Sequence, residues 1–304
     1  MTYDTLISPE QLRDLNASGA SLMVFDCSFD LGEPEAGVRH YRAAHIPGAV
    51  YAHLEDDLSA RHGAPSALAQ AIAAHEDEGE PASGGRHPLP SREKIALWLS
   101  SIGFTNDMQA VVYDRNGLNF GGRLWWMLQW MGHEAAAVLD GGLQGWQSIG
   151  GQVVSGEEPA RFQSNFVLGA PRVRLADTRT VAAHLETSAQ TLIDARAPAR
   201  YRGDVEPLDP VAGHIPGALN RPFSDNFDAD GRFKPPAQLR AEFESLLAGR
   251  DPATIVNQCG SGVSALPNLI ALRWAGLGTS ALYAGSWSEW CNTPGLPARQ
   301  GAAP

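Results

Sequence analysis

The sequence is poor in cysteine: Cys27, Cys259 and Cys291 are the only three among 304 residues. An odd number so widely spaced builds neither a disulfide framework nor a metal-ligand cluster. No apolar run approaches the ~18 residues of a membrane helix. The start, Met1-Thr2-Tyr3-Asp4-Thr5-Leu6-Ile7, lacks the basic residues and apolar stretch of a secretory signal. The expectation is a cytoplasmic chain with no membrane partner, in a reducing setting where a working thiol stays free. Basic residues are also scarce: 23 Lys and Arg against 34 Asp and Glu leave a net charge of −11. That sign argues against a nucleic-acid partner, whose backbone needs a basic face to release counterions. A small anionic ligand stays compatible, because a few arginines make a local positive pocket. The length suits two domains of ~150 residues, and 43% hydrophobic content gives each a core.

What the sequence has is a repeat. His45-Ile46-Pro47-Gly48-Ala49 recurs as His214-Ile215-Pro216-Gly217-Ala218. Each copy follows an apolar strand ending in Asp, Leu22-Met23-Val24-Phe25-Asp26 and Thr191-Leu192-Ile193-Asp194. A second strand follows in each, Ala110-Val111-Val112-Tyr113-Asp114 and Thr254-Ile255-Val256-Asn257-Gln258, then a Gly-rich turn, a helix and a Trp. Arg115 to Trp146 and Cys259 to Trp290 both span 31 residues, which pairs Cys259 with Arg115. Residues 1–150 and 176–304 are therefore expected to be two domains joined by a linker at 151–175. His45 to Arg115 is 70 residues against 45 from His214 to Cys259. The surplus lies around 55–90, in Ala-, Gly-, Pro- and charge-rich sequence that predicts an exposed insertion, a long loop with a short helix. Strand–helix alternation predicts an α/β fold, each domain a parallel sheet flanked by helices on both faces. Ligands of such sheets bind beyond the carboxyl ends of the strands.

The Cys259 loop falls at such an end. Cys259 follows a buried-type strand and precedes a helix expected to begin near Ala265. Gly260 and Gly262 let successive backbone N–H groups turn inward. A ring of such donors beside a helix N-terminus stabilises negatively charged sulfur and can hold a terminal persulfide. Ser261 and Ser264 add hydroxyl donors. Cys27 and Cys291 lack this setting and read as structural. With Arg115 at the matching position, the first half cannot carry sulfur. Trp125, Trp126, Trp130, Trp287 and Trp290 are expected to pack the cores and the domain interface.

The tandem His-Ile-Pro-Gly-Ala segments, Arg123-Leu124-Trp125-Trp126-Met127, Leu139-Asp140-Gly141-Gly142-Leu143, Gly285-Ser286-Trp287-Ser288-Glu289-Trp290 and Cys259-Gly260-Ser261-Gly262-Val263 carry a resemblance over nearly the whole chain. The sequence resembles the thiosulfate/3-mercaptopyruvate sulfurtransferase family. The resemblance implies two tandem rhodanese-like domains, the second catalytic. It implies double displacement: Cys259 takes sulfur from a small anionic donor, then yields it to a thiol acceptor such as thioredoxin, or to cyanide. No metal or organic cofactor is implied, because the cysteine itself holds the intermediate as a persulfide.

The donor is argued from the loop. Family members that prefer thiosulfate usually carry basic residues directly after the cysteine, whereas Gly260-Ser261-Gly262-Val263-Ser264 is uncharged and resembles the mercaptopyruvate branch. Arg200 matches the family's substrate-binding arginine and can grip a carboxylate through two N–H bonds. Arg196 matches a family arginine near Asp194. The branch's second arginine is missing: Asp209 stands near its place, which keeps thiosulfate open as donor, and Arg123 or another group would have to supply the charge. The branch's Ser–His–acid relay has its matches in Ser261, His87 and Glu55, with Asp56 and Asp57 competing for the acid's role. His87 has the right acidity for such work, and an ordinary surface histidine is the competing reading. Two rivals remain. A phosphatase of the Cys-x5-Arg type would need an arginine where Ala265 stands. A non-catalytic sulfur-carrier module would not need both the intact Cys259 loop and Arg200.

Overall fold

The computed structural model describes residues 2–60 and 81–304. By internal contacts the chain divides into two units. The first comprises Met1–Ala82, Leu89–Arg172 and Asp230–Arg232; the second comprises Ser83–Pro88, Val173–Ala229 and Phe233–Pro304. Most of the expected insertion, residues 61–80, lies outside the described residues.

The first unit contains a five-stranded parallel sheet of β1 (Leu6–Ile7), β2 (Leu22–Asp26), β3 (Val50–Tyr51), β4 (Gln109–Tyr113) and β5 (Ala136–Leu139), in the order β1-β5-β4-β2-β3. In the second unit β6 (Arg174–Ala176), β7 (Thr191–Asp194), β8 (Leu219–Asn220), β9 (Ile255–Gln258) and β10 (Ala281–Tyr283) repeat it as β6-β10-β9-β7-β8. Every pairing is parallel. The central strands are mainly apolar, as sheets covered on both faces favour, although β7 ends in Asp194 and β9 in Asn257-Gln258; β4, β5, β7 and β9 are buried along their whole lengths. Helices start where the sequence supplies caps. Ser8 and Gln11 form a reciprocal capping box on the helix Pro9–Ala17, and Ser91 and Asp177 accept from Lys94 and Thr180 at the starts of theirs.

The two cores repeat as well. Val24, Val111, Ala137, Leu139 and Trp146 cluster in the first unit; Leu192, Val256, Ala281, Tyr283 and Trp290 do so in the second. Burying each large side chain stabilises the fold by ~1.5–3 kcal/mol. Trp125, Trp126, Trp287 and Trp290 are among the largest fully buried side chains. The repeated histidines are structural in both units. Nδ1 of His45 lies 2.8 Å from the Tyr41 carbonyl and the ring stacks on Tyr41 at 4.1 Å, while His214 makes the same pair with Tyr201 at 2.8 and 3.8 Å. Residues 151–172 pack within the first unit, where Val154 bridges His45 and Arg172 N donates to the Gln129 carbonyl. No helix among the described residues is long and apolar enough to cross a membrane.

Candidate active site

Strand β9 ends at Gln258, and Cys259 opens a tight loop to the helix Leu266–Trp274, with Cys259 only 1% exposed. The loop is held from one side by the turn after β10. Cys259 N donates to Ser286 Oγ at 3.1 Å, and the Cys259 and Gly260 carbonyls accept from Trp287 N at 3.0 Å and Ser288 N at 2.8 Å. Gly262 has φ +74°, and a Cβ there would lie 2.2 Å from the Ala284 carbonyl oxygen, so only glycine fits. Gly260 is under no such constraint: a Cβ on it would stand 3.4 Å from both Arg200 Nη1 and Arg86 Nη2, the ends of two flexible side chains. Val263 is buried and Ser264 half-buried. The backbone N–H groups of Ser261, Val263, Ser264 and Ala265 donate to no acceptor among the described residues.

The first unit shows what such a loop can do, and it corrects the residue count. β2 pairs Asp26 with Tyr113, and β7 pairs Asp194 with Gln258. The Asp114 carbonyl receives Leu143 N as the Cys259 carbonyl receives Trp287 N. The counterpart of Cys259 is therefore Asp114, not Arg115. Strand-end to Trp146 is one residue longer in the first unit, so counting back from the tryptophans slips by one. The Asp114 carboxylate accepts four backbone N–H bonds, from Asn116 (2.7 Å) and from Leu118, Phe120 and Gly121 (2.9 Å each). Burial raises its pKa, and those four N–H groups oppose the rise without cancelling it. Arg115 pairs with Asp26 at 2.9 Å and also binds the Ala44 carbonyl. This half of the repeat fills its own anion nest with a carboxylate and has no thiol there.

Of the relay residues, the structure brings two together. His87 is buried, 2% exposed rather than on the surface, with Nδ1 2.8 Å from Ser261 Oγ. The hydroxyl accepts from or donates to the ring according to tautomer. Glu55 belongs to the first unit, in the turn after β3. In that turn Asp57 accepts from His53 N at 2.8 Å, and burial pushes its carboxyl up to about 6. Glu55, the acid that the resemblance implies, and its competitors Asp56 and Asp57 all lie in that turn.

Arg200 lies in the short helix Pro198–Arg202. Glu206, 3% exposed, takes its Nε at 3.2 Å and Nη2 at 2.5 Å. The Glu206 carboxyl is buried, yet the bond from Arg200 draws its pKa down. Arg196 is buried in a pair with Asp194 at 2.7 Å, 4.9 Å from the Trp287 ring. Burial works against its charge, and Asp194 outweighs burial, so its pKa rises. That role is structural. Arg123, proposed as the missing cation, is fully buried in the first unit and donates to the Leu58 carbonyl. The residue that sequence reasoning missed is Arg86, whose Nη1 binds Asp209 at 2.8 Å. Its one sequence signal was adjacency to His87. Burial raises the thiol pKa of Cys27 far and that of Cys291 less. Among the described residues, no group of three or more His, Cys, Asp or Glu side chains could hold a metal ion.

Comparisons with known proteins agree with this architecture. The rhodanese-like domain family matches residues 8–149 and 177–293. The chain is 43% identical over 308 residues to a Pseudomonas aeruginosa protein named probable 3-mercaptopyruvate sulfurtransferase, covering 99% of this chain and 100% of that one. It is 31% identical to the thiosulfate sulfurtransferase of Bos taurus, covering 95% of this chain and 92% of that one. The crystal structure of SseA from Escherichia coli, described with the 3-mercaptopyruvate sulfotransferases, superposes with a TM-score of 0.73 at 28% identity. That match covers 94% of this chain and all of SseA. With one matched domain in each half, the chain belongs to the rhodanese-like domain family.

Proposed function

We propose that this chain is a sulfurtransferase that moves sulfur from 3-mercaptopyruvate, through a Cys259 persulfide, to a thiol or to cyanide. The observation that carries the choice of donor is the uncharged Cys259–Ser264 loop with the buried His87–Ser261 bond of 2.8 Å beside it. The Cys259 thiolate attacks the donor sulfur and forms the S–S bond. The donor's C–S bond breaks, and its electron pair goes to the methylene carbon as the enolate of pyruvate. A proton then gives pyruvate, and the Ser261–His87 pair is suited to deliver it or to polarise the carbonyl. The N–H groups of Ser261, Val263, Ser264 and Ala265 are donors for the terminal persulfide sulfur. In the second half-reaction the acceptor nucleophile attacks that sulfur and Cys259 leaves as thiolate. A small thiol protein of the thioredoxin type suits this step in a reducing cytoplasm. No dissociable cofactor is required.

Thiosulfate would use the same Cys259 step with sulfite leaving, as the name of the Bos taurus relative invites. Comparing kcat/KM for 3-mercaptopyruvate and thiosulfate, with cyanide as acceptor, tests the choice. The expected result is a clear preference for 3-mercaptopyruvate, with turnover abolished in a folded Cys259→Ser protein. A preference for thiosulfate would replace the donor, and turnover surviving in Cys259→Ser would remove the mechanism.

A further inference from the structure

The turn after β10 holds a serine in a backbone conformation that serine disfavours. Ser286 has φ +53°, in the left-handed region where the Cβ of an L-residue crowds the backbone. Leu118, Glu186 and Ala248 share that region among the described residues, and Ser286 is the one whose side chain bonds Cys259. It is fully buried. Its hydroxyl donates to the Tyr283 carbonyl at 2.9 Å, which turns the oxygen's lone pairs to the N–H of Cys259 at 3.1 Å. Trp287 N, the next donor along the chain, takes the Cys259 carbonyl at 3.0 Å. Two consecutive residues of one turn therefore grip both backbone polar groups of Cys259.

The first unit makes the same turn without the hydroxyl. Leu143 N meets the Asp114 carbonyl at 3.3 Å as Trp287 N meets that of Cys259, which places Gly142 opposite Ser286 in the repeat. Gly142 has φ +57°, and a Cβ there would lie 2.3 Å from the Asp114 carbonyl oxygen, so that turn admits glycine alone. Asp114 has no need of a hydroxyl to orient it, because its two carboxylate oxygens accept four backbone N–H bonds. A thiol has a single reacting atom, and its direction is set by the backbone angles of Cys259, which the bonds from Ser286 and Trp287 restrain. Where the strand end carries the thiol, the turn makes room for a Cβ and keeps the strain. Strain of this kind persists where the surroundings fix it, and it gathers at working sites.

We propose that Ser286 is a positioning residue for sulfur transfer: its hydroxyl fixes the N–H of Cys259 and so aims the thiol at the N–H groups of Ser261, Val263, Ser264 and Ala265. The inference rests on the Cys259 persulfide reading and holds for either donor. The N–H of Cys259 itself, already given to Ser286, takes no part in holding the transferred sulfur.

Two variants of the full chain separate the hydroxyl from the strain. Ser286→Gly removes both, whereas Ser286→Ala removes the hydroxyl and keeps the left-handed Cβ. Ser286→Gly should therefore melt above Ser286→Ala. In sulfur transfer to cyanide the two should fall together, with kcat down about tenfold, the factor that one hydrogen bond represents, and KM for the donor little changed. A residue that served the fold alone would let activity follow stability, and Ser286→Gly would then exceed Ser286→Ala. Alkylation of Cys259 by iodoacetamide, followed on its own peptide, should slow by a similar factor in both variants. The reason is that a thiol turned from the loop's N–H groups loses the stabilisation of its reacting form. Parental kcat in a folded Ser286→Gly protein would overturn the proposal, as would a rise in KM alone. Should Ser286→Ala fail to fold, Ser286→Gly carries the test. If the parent protein transfers sulfur from neither 3-mercaptopyruvate nor thiosulfate, the persulfide reading fails, and the alkylation rates still decide whether Ser286 aims the thiol.

Discussion

Replacing Cys259 with aspartate should leave the second unit folded, which is not the usual fate of a carboxylate placed in a buried site. Cys259 is 1% exposed, and an unpaired buried charge costs several kcal/mol. The first unit has an aspartate at the same strand end, where Asp114 accepts four backbone N–H bonds of 2.7–2.9 Å. Hydrogen bonds to a charged group contribute ~1.5–3 kcal/mol each, so four of them offset most of the desolvation cost. The offset is incomplete, because burial still holds the Asp114 pKa above its ordinary value. The loop after Cys259 has four N–H groups, on Ser261, Val263, Ser264 and Ala265, without acceptors among the described residues. Cys259→Asp is therefore expected within ~2 kcal/mol of Cys259→Ala at pH 7. That difference corresponds to a few degrees in melting temperature for a domain of this size. A carboxyl whose folded pKa is raised stabilises the fold below its unfolded pKa and loses that contribution as pH rises through the folded value. The gap to Cys259→Ala should accordingly narrow on acidification from pH 7 to pH 5. Calorimetry of the two variants at both values checks this. A deficit beyond ~4 kcal/mol, the scale of an uncompensated buried charge, would show that the loop donors do not converge on position 259 and would refute the anion-nest reading.

Two further outcomes follow from local geometry. Gly262→Ala forces a left-handed residue and a Cβ 2.2 Å from the Ala284 carbonyl oxygen, in the turn that holds Cys259. The left-handed penalty alone is ~1–2 kcal/mol, so a stability loss of at least ~2 kcal/mol and loss of sulfur transfer are expected in denaturation and turnover assays. Burial raises the Glu242 pKa, but Arg221 and Lys234 more than reverse this and draw it down to about 2. Its stabilising contribution is full above the ordinary carboxylate range and disappears as pH falls toward 2. Glu242→Gln should cost ~1 kcal/mol at pH 6 after solvent screening and nothing near pH 2; an equal deficit at both values would contradict the ion-pair assignment.

The fold was legible because both copies obey the same physics. Buried parallel strands favour apolar residues, and Ala110-Val111-Val112 of β4 and Ile255-Val256 of β9 supply them, although β9 ends in the buried polar pair Asn257-Gln258. The repeated His45 and His214 could be found as a pattern, but not their role, since stacking on Tyr41 and Tyr201 depends on helices that spacing alone does not orient. Counting residues misled at Arg115, because a one-residue difference after the strand is invisible when only the terminal tryptophans are aligned. The place of Cys259 and Gly262 at a strand-to-helix turn was legible from the glycine-spaced loop, whereas Arg200 was singled out by the resemblance alone. The place of Arg86 was not legible, because nothing in the sequence signals that a residue 123 positions away stands beside Asp209.

The acid at position 209 also bears on how an acidic protein handles an acidic donor. With a net charge of −11, the whole-molecule field opposes any anion. Around Gly260 the balance is different in kind: Arg86, Arg196 and Arg200 face Asp194, Glu206 and Asp209, so positive and negative groups are equal. A neutral cluster exerts little attraction at long range, and what it offers is orientation at contact. Asp209 and Glu206 hold the Arg86 and Arg200 guanidinium groups in place, so an anion that met them would find its donors already ordered. An arginine at position 209 would bring charge without an anchor for Arg86, whereas the acid gives up charge and places two sets of N–H donors beside Cys259. What such a cluster can offer a planar anion is fixed placement of N–H donors rather than net charge.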